Sequence, residues 1–194
     1  MNEQAEMKLE EQQEDKKKSE KSQMREFFSL ILYVAGVVLL SIVLNKFVIQ
    51  KVEVDGPSMN TTLKTGQQLM VQKVSYHFTD PKRGDIVVFQ PPGYEDDTLY
   101  IKRVIGVPGD RVQIIDGYIY LNGKKYDDPQ WREEILDPGI AEEEVTVGEG
   151  EYFVVGDNRN DSTDSREFGA VEKSRIMGEA VLRIWPLKKF GLLE

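Results

Sequence analysis

Ser58 and Lys102 are the two residues whose types could together supply a nucleophile and the base that activates it. A serine hydroxyl attacks poorly until a base removes its proton. A lysine amine can be that base only where apolar surroundings disfavour its charged form and pull its pKa towards working pH. Ser58 lies in Gly56-Pro57-Ser58-Met59, a tight turn straight after a β-prone run. Such a turn exposes the hydroxyl and frees neighbouring backbone N–H groups to stabilise an oxyanion. Lys102 lies in Leu99-Tyr100-Ile101-Lys102-Arg103-Val104-Ile105-Gly106. Strand alternation puts Lys102 on one face with Tyr100 and Val104, and Arg103 on the other with Ile101 and Ile105. One of the two cations must therefore share a face with apolar groups. Taken singly, a turn serine and an edge-strand lysine are ordinary surface features.

A third polar segment runs from Gly156 to Gly169 and includes Asp157, Asn158, Arg159, Asp161, Ser162, Asp164 and Arg166. It is dense in groups that hydrogen-bond backbone, and Asp164 with Arg166 can form an ion pair inside the loop. A cation held by Asp157, Asp161 and Asp164 is disfavoured, because the spacing is not that of an EF-hand loop and no bidentate glutamate stands in register. No metal and no cofactor is expected. The single histidine, His77, has no recognisable flanking motif and reads as a surface or packing residue. Trp131 and Trp185 also read as packing residues, Trp185 being suited to a membrane interface.

The elements that must position these groups follow from the rest of the chain. Its 194 residues suffice for one domain with a real core. The net charge of -9 argues against a nucleic-acid partner. The absence of cysteine excludes disulfides, a thiol nucleophile and thiolate metal sites. Residues 1–26 are polar and without apolar periodicity, as in a solvated tail or a fraying helix. The uncharged run that starts at Phe27 is expected to form a transmembrane helix over 27–45, reaching about 27 Å. Its length exceeds a signal-peptide core, and no small-residue cleavage motif follows. Lys16, Lys17, Lys18, Lys21 and Arg25 precede it closely, against Lys46 and Lys51 after it. The positive-inside rule then makes the tail cytoplasmic and residues 46–194 extracytoplasmic, in a single-pass protein of the cell membrane with the lipid bilayer as a partner.

Beyond residue 46 the pattern is that of strands: Val48–Val54, Leu69–Val71, Asp85–Phe89, Leu99–Ile105, Glu151–Val155 and Gly178–Trp185. Asp116-Gly117, between Arg111–Ile115 and Tyr118–Leu121, is a strong hairpin signal that Asn122-Gly123 at once repeats. The expected fold is mostly β: an antiparallel β catalytic domain with a small acidic β insertion at about 116–150, preceded by one N-terminal transmembrane helix.

The order of these segments resembles the bacterial type I signal peptidases, in the short single-span form of Gram-positive bacteria. The resemblance rests on the apolar span, Gly56–Leu63, Arg83–Phe89, Lys102–Asp110 and Gly156–Gly169. The tail and residues 124–148 add nothing to it. It implies a membrane-anchored serine endopeptidase that removes N-terminal signal peptides from exported preproteins, with small residues at the first and third positions before the cut. Ser58 would match the family nucleophile, Lys102 its general base, Ser162 the hydroxyl that orients the lysine, and Asp164 with Arg166 the supporting ion pair. Val52, Val54, Leu99 and Ile101, on the strands flanking the two catalytic residues, are candidate walls for the substrate pockets. Two positions depart from the family. Thr61 stands where a proline is usual, and Gly56 where some relatives carry a hydroxyl that adds an oxyanion donor, so the backbone N–H of Ser58 must serve instead.

Two other readings compete. A self-cleaving regulator can use a similar Ser–Lys dyad, but it would carry a DNA-binding domain in place of the span. An inactive homologue serving as a secretion-complex subunit should have lost Ser58 or Lys102, and both are present.

Overall fold

The computed structural model describes residues 3–43, 48–94 and 98–193. The chain divides into two compact units, Met1–Lys46 and Phe47–Glu194. In the first, a single α-helix runs over Glu3–Val43, so the polar tail continues the apolar helix without a break. Within it, Gln23–Ile42 is long and apolar enough to cross a membrane. Its large side chains, Phe27, Leu32 and Leu39 among them, are exposed, as a helix solvated by lipid would have them. Residues 44–45, where the sequence places the end of the span, lie outside the described residues, as does Lys46.

The second unit is built on antiparallel pairing. Its strands are β1 (Ile49–Glu53), β2 (Gln68–Gln72), β3 (Ile86–Phe89), β4 (Tyr100–Gly106), β5 (Arg111–Ile115), β6 (Tyr118–Leu121), β7 (Lys124–Lys125), β8 (Val145–Thr146), β9 (Glu151–Val155), β10 (Val171–Glu172), β11 (Ile176–Trp185) and β12 (Gly191–Leu192). The main sheet has the order β1-β2-β11-β3-β4-β9-β10, with β12 paired to β11. A second sheet has the order β7-β6-β5-β8. It includes β5, so the smaller lobe covers Arg111–Thr146 and begins before residue 116, where the sequence places the insertion. The Asp116-Gly117 turn closes the β5–β6 hairpin, with Ile115 facing Tyr118.

Three apolar clusters fill the unit. Val54, Met59, Leu63, Leu69, Ile86, Val88 and Ile101 meet on one side of the main sheet. Val87, Phe89, Val104, Tyr152 and Val154 meet on the other, with Tyr100 packed against them. Ile105, Val112, Ile119, Leu121 and Phe153 join the two sheets.

Strand β4 decides the fate of the two cations. It lies between β3 and β9, with Val87 opposite Lys102 and Val155 opposite Arg103. A central strand has no solvent edge, which removes the edge-lysine reading. Both cations are buried, Lys102 at 4% and Arg103 at 5% exposure, so burial is not confined to one face. Arg103 is compensated fully. Its Nε and Nη2 donate to Asp157 Oδ1 and Oδ2, each at 2.9 Å, and its Nη1 donates to the Gly84 carbonyl at 2.6 Å. Asp157 Oδ2 also accepts from Thr62 Oγ1 at 2.5 Å, which ties the turn after Ser58 to this pair.

A bidentate pair of this kind is costly to break from one side, because the remaining charge stays buried. Arg103→Met should lower stability by about 3–5 kcal/mol, as read by urea unfolding in mild detergent. Arg103→Met with Asp157→Leu should recover a large part of that loss. A single variant as stable as the wild type would mean that the pair does not hold the sheet.

Candidate active site

Ser58 sits in the loop between β1 and β2, and local hydrogen bonds fix that loop at its base and tip. Val54 N–H donates to the Gln67 carbonyl at 2.8 Å, Gly66 N–H to that of Val54 at 2.9 Å, and Asn60 N–H to that of Pro57 at 2.8 Å. Gly56 has a φ of 90°, in the left-handed region open to glycine. A serine or threonine would be strained in this backbone conformation, although an added Cβ would meet no neighbour.

The segment after β9 lies against the same loop. Asn158 N–H donates to the Ser58 carbonyl at 3.0 Å, and Asn158 Nδ2 to that of Pro57 at 3.2 Å. Gly156 allows the approach, since a Cβ there would strike Ser162 Oγ and come within 2.5 Å of the Ser58 carbonyl oxygen. Lys102 enters from β4, and its Nζ donates to Ser58 Oγ at 2.8 Å. The Tyr100 ring lies 4.9 Å from the same nitrogen.

Burial pulls the Lys102 pKa from 10.5 down to about 8. The Asp164 carboxylate opposes this, and the Arg166 guanidinium adds to it. The two neighbours act in opposite directions and are themselves paired. Arg166 Nε donates to Asp164 Oδ1 and its Nη2 to Oδ2, both at 2.9 Å, with Asp164 fully buried. Asp164 Oδ2 also accepts from Gly156 N–H at 3.0 Å and from Ser162 Oγ at 2.7 Å. The Ser162 hydroxyl hydrogen thus goes to Asp164, and its oxygen keeps lone pairs that can accept from an ammonium.

Ser58, Lys102 and Ser162 share one cleft of about 830 Å³, and Val52, Val54, Leu99 and Ile101 all line it. Val54 and Ile101 belong to the packed core and offer the cleft little surface, whereas Val52 and Leu99 are half-buried. Asp157 and Asp164 are each paired with a guanidinium group, and Asp161 is exposed. His77 is exposed on the short helix Ser75–Phe78, away from the cleft. Trp131 stacks on Tyr118 at 5.5 Å, and Trp185 is half-exposed at the end of β11.

Several residues that build this arrangement carry no signal in the sequence reading. Arg159 donates from Nη1 to the Gly156 carbonyl at 2.8 Å and from Nη2 to Asp128 at 2.6 Å. Thr62, Gly156 and Asn158 are equally quiet as letters. The density of hydrogen-bonding residues in 156–169 and the resemblance over Gly56–Leu63 and Gly156–Gly169 mark these stretches without singling out the four residues.

The whole cleft falls within a stretch, residues 24–185, that matches the family model described as signal peptidase, peptidase S26. The chain belongs to this family of peptidases. A probable signal peptidase I-2 of Synechocystis sp. is 36% identical over 186 residues, 93% of this chain and 83% of the relative. Signal peptidase I of Bacillus caldolyticus is 42% identical over 159 residues, 76% of this chain and 86% of the relative. A crystal structure of a signal peptidase I from Enterococcus faecalis aligns at 33% identity and a TM-score of 0.43, covering 52% of this chain and 97% of its own.

Holding the amine dry has a stability cost. A lysine shifted from 10.5 to about 8 lowers stability by up to about 3 kcal/mol at neutral pH. The unfolded chain binds the extra proton, so the deficit is complete below the folded pKa. It disappears as pH rises from about 8 to the unfolded value of 10.5. Lys102→Met keeps the apolar stem and removes the charge. It should raise stability by about 1–3 kcal/mol at neutral pH, with the gain shrinking as pH rises through that window. A variant that is no more stable at neutral pH would contradict the buried, poorly solvated amine.

Proposed function

We propose that this S26 peptidase is a membrane-anchored serine endopeptidase that removes signal peptides from exported preproteins with a Ser58–Lys102 dyad. The 2.8 Å contact between Lys102 Nζ and Ser58 Oγ, made by a lysine with 4% exposure, carries the reading. The helix over Gln23–Ile42 supports an anchor, and the lysine and arginine excess before it supports a cytoplasmic N-terminus with residues 46–194 outside.

Neutral Lys102 takes the Ser58 proton as Oγ attacks the scissile carbonyl carbon. The oxyanion is received by backbone N–H, chiefly that of Ser58. As the carbon–nitrogen bond breaks, the lysine ammonium returns its proton to the leaving amine. Water then gives a proton to the same amine while its oxygen attacks the acyl carbon; the ester bond breaks, the ammonium returns the proton to Ser58 Oγ, and the acid leaves. Ser162, whose hydrogen is given to Asp164 and which lines the same cleft, offers its oxygen to the ammonium once Lys102 has taken the Ser58 proton, and so aims it. No cofactor takes part.

The substrate lies in the cleft as an extended strand. Its first and third residues before the cut then point to one side, and the residue between them points away. Val52 and Leu99, with Val54 and Ile101 behind them, form shallow apolar walls that admit a methyl group and reject larger side chains by clash.

Ser58→Ala and Lys102→Ala should each abolish cleavage of a purified preprotein, and the double variant should be hardly worse than either. Lys102→Arg should be inactive too, since guanidinium stays protonated. Ser162→Ala should slow turnover by about ten- to a thousand-fold with little change in binding. Because the amine must be neutral, kcat/KM should rise with pH and level off above about 8. A rate that is flat between pH 6 and 9, or clear turnover by Lys102→Arg, would remove Lys102 as the base.

Peptides with alanine at the first and third positions before the cut should be cleaved, and those with leucine or lysine at either should fail. Efficient cleavage after a bulky or basic residue would refute these pockets.

A further inference from the structure

One wall of the cleft comes from the smaller lobe. Leu136, Asp137 and Gly139 line it beside Asn160–Thr163, yet they belong to the connection between β7 and β8. This connection is held by hydrogen bonds to the segment that carries Ser162. Leu136 N–H donates to Asn160 Oδ1 at 2.9 Å, and the Asp137 carbonyl accepts from Arg166 Nη1 at 3.1 Å. Asn160 Nδ2 answers by donating to the Glu134 carbonyl at 3.0 Å. Further back, the buried Arg159–Asp128 pair ties the start of the connection to the Gly156 carbonyl.

The residue before Leu136 is also fixed. Ile135 is buried in the core between the sheets, and its N–H donates to the Gly117 carbonyl at 3.0 Å. With its neighbour locked inward and its own backbone held, Leu136 is left 80% exposed on the cleft. A large apolar side chain presented from so constrained a backbone is suited to contact a ligand. In a peptidase cleft that ligand is substrate chain.

We infer that Leu136 is a specificity residue for the part of the preprotein that follows the cut, where it favours an apolar side chain within the first few positions. This rests on the Ser58–Lys102 reading. Val52, Val54, Leu99 and Ile101 precede Ser58 and Lys102 on their own strands and are assigned to the residues before the cut. The Leu136 wall is carried by different elements and is the part of the cleft which those strands leave over. Asp137 and Asp161, both exposed on the same lining, make an acidic residue unfavourable there.

The test uses the full chain in detergent with two peptides identical up to the cut. One ends a single residue after it, and the other continues for several residues that include a leucine. The measured quantity is the ratio of kcat/KM for the long peptide to that for the short one. Leu136→Ala should lower this ratio about three- to ten-fold, chiefly through KM on the long peptide, as expected for losing part of a leucine contact. Leu136→Asp should lower it further. Replacing the leucine of the long peptide by glutamate should lower the wild-type ratio and leave Leu136→Ala less affected. A ratio at or above the wild-type value in both variants overturns the inference, whatever happens to the absolute rates. Wild type that cuts neither peptide overturns the dyad reading and this inference with it, whereas wild type that cuts both while Ser58→Ala cuts neither isolates the role of Leu136.

Discussion

An amine must stay dry and still touch a hydroxyl, and the organisation of the second unit follows from meeting both demands. Lys102 is dry because β4 is an interior strand with β3 and β9 on its flanks. It touches Ser58 because the loop between β1 and β2 is drawn to the end of β9 by Asn158 and Thr62. Neither condition implies the other. A lysine buried at random would be a liability, and a lysine beside a surface serine would stay protonated.

Charge is arranged so that burial dominates. Around the amine lie Asp164 and Arg166, whose effects on Lys102 have opposite signs. Each arginine of this region is committed elsewhere: Arg103 to Asp157, Arg159 to Asp128 and Arg166 to Asp164. The carboxylates hold backbone in place as well as guanidinium groups. Asp164 in particular receives Gly156 N–H, Ser162 Oγ and Arg166 together. One buried carboxylate thereby fixes the position of a strand end, a hydroxyl and a cation.

Much of the fold was legible because strand signals are local. Asp116-Gly117 and its flanking runs specify the β5–β6 hairpin, and the alternation around Val52 and the continuous apolar run Ile86–Phe89 mark strands wherever they pair. Which strand neighbours which is not local. Nothing near Lys102 says that β4 is interior, so an exposed edge lysine remained open until its neighbours were known. The same limit hides the pairing of β5 with β8, which lies about 30 residues away, whereas its pairing with β6 is the local hairpin. Ser58 and Lys102 stood out through their flanking residues. Arg159 and Gly156 did not, since an arginine reveals its carbonyl partner, and a glycine its crowded neighbours, only in three dimensions. Ser162 stood out only through likeness to a family, and its bond to Asp164 lies beyond what letters convey.

The parts that meet at the cleft come from distant stretches of chain. The contact between Lys102 and Ser58 spans 44 residues, and that between Asn158 and Pro57 spans 101. Contacts of such sequence separation form late, after the loops between them have been closed at an entropic cost. A nascent chain that has emerged as far as β4 holds both a serine and a lysine, but the strand that buries the amine is still missing. Its lysine is wet, charged and inert. If peptide bonds are cut by this pair, as proposed above, the capacity to cut them comes into being only once β9 has paired with β4, and the unfinished chain is harmless to itself and its neighbours.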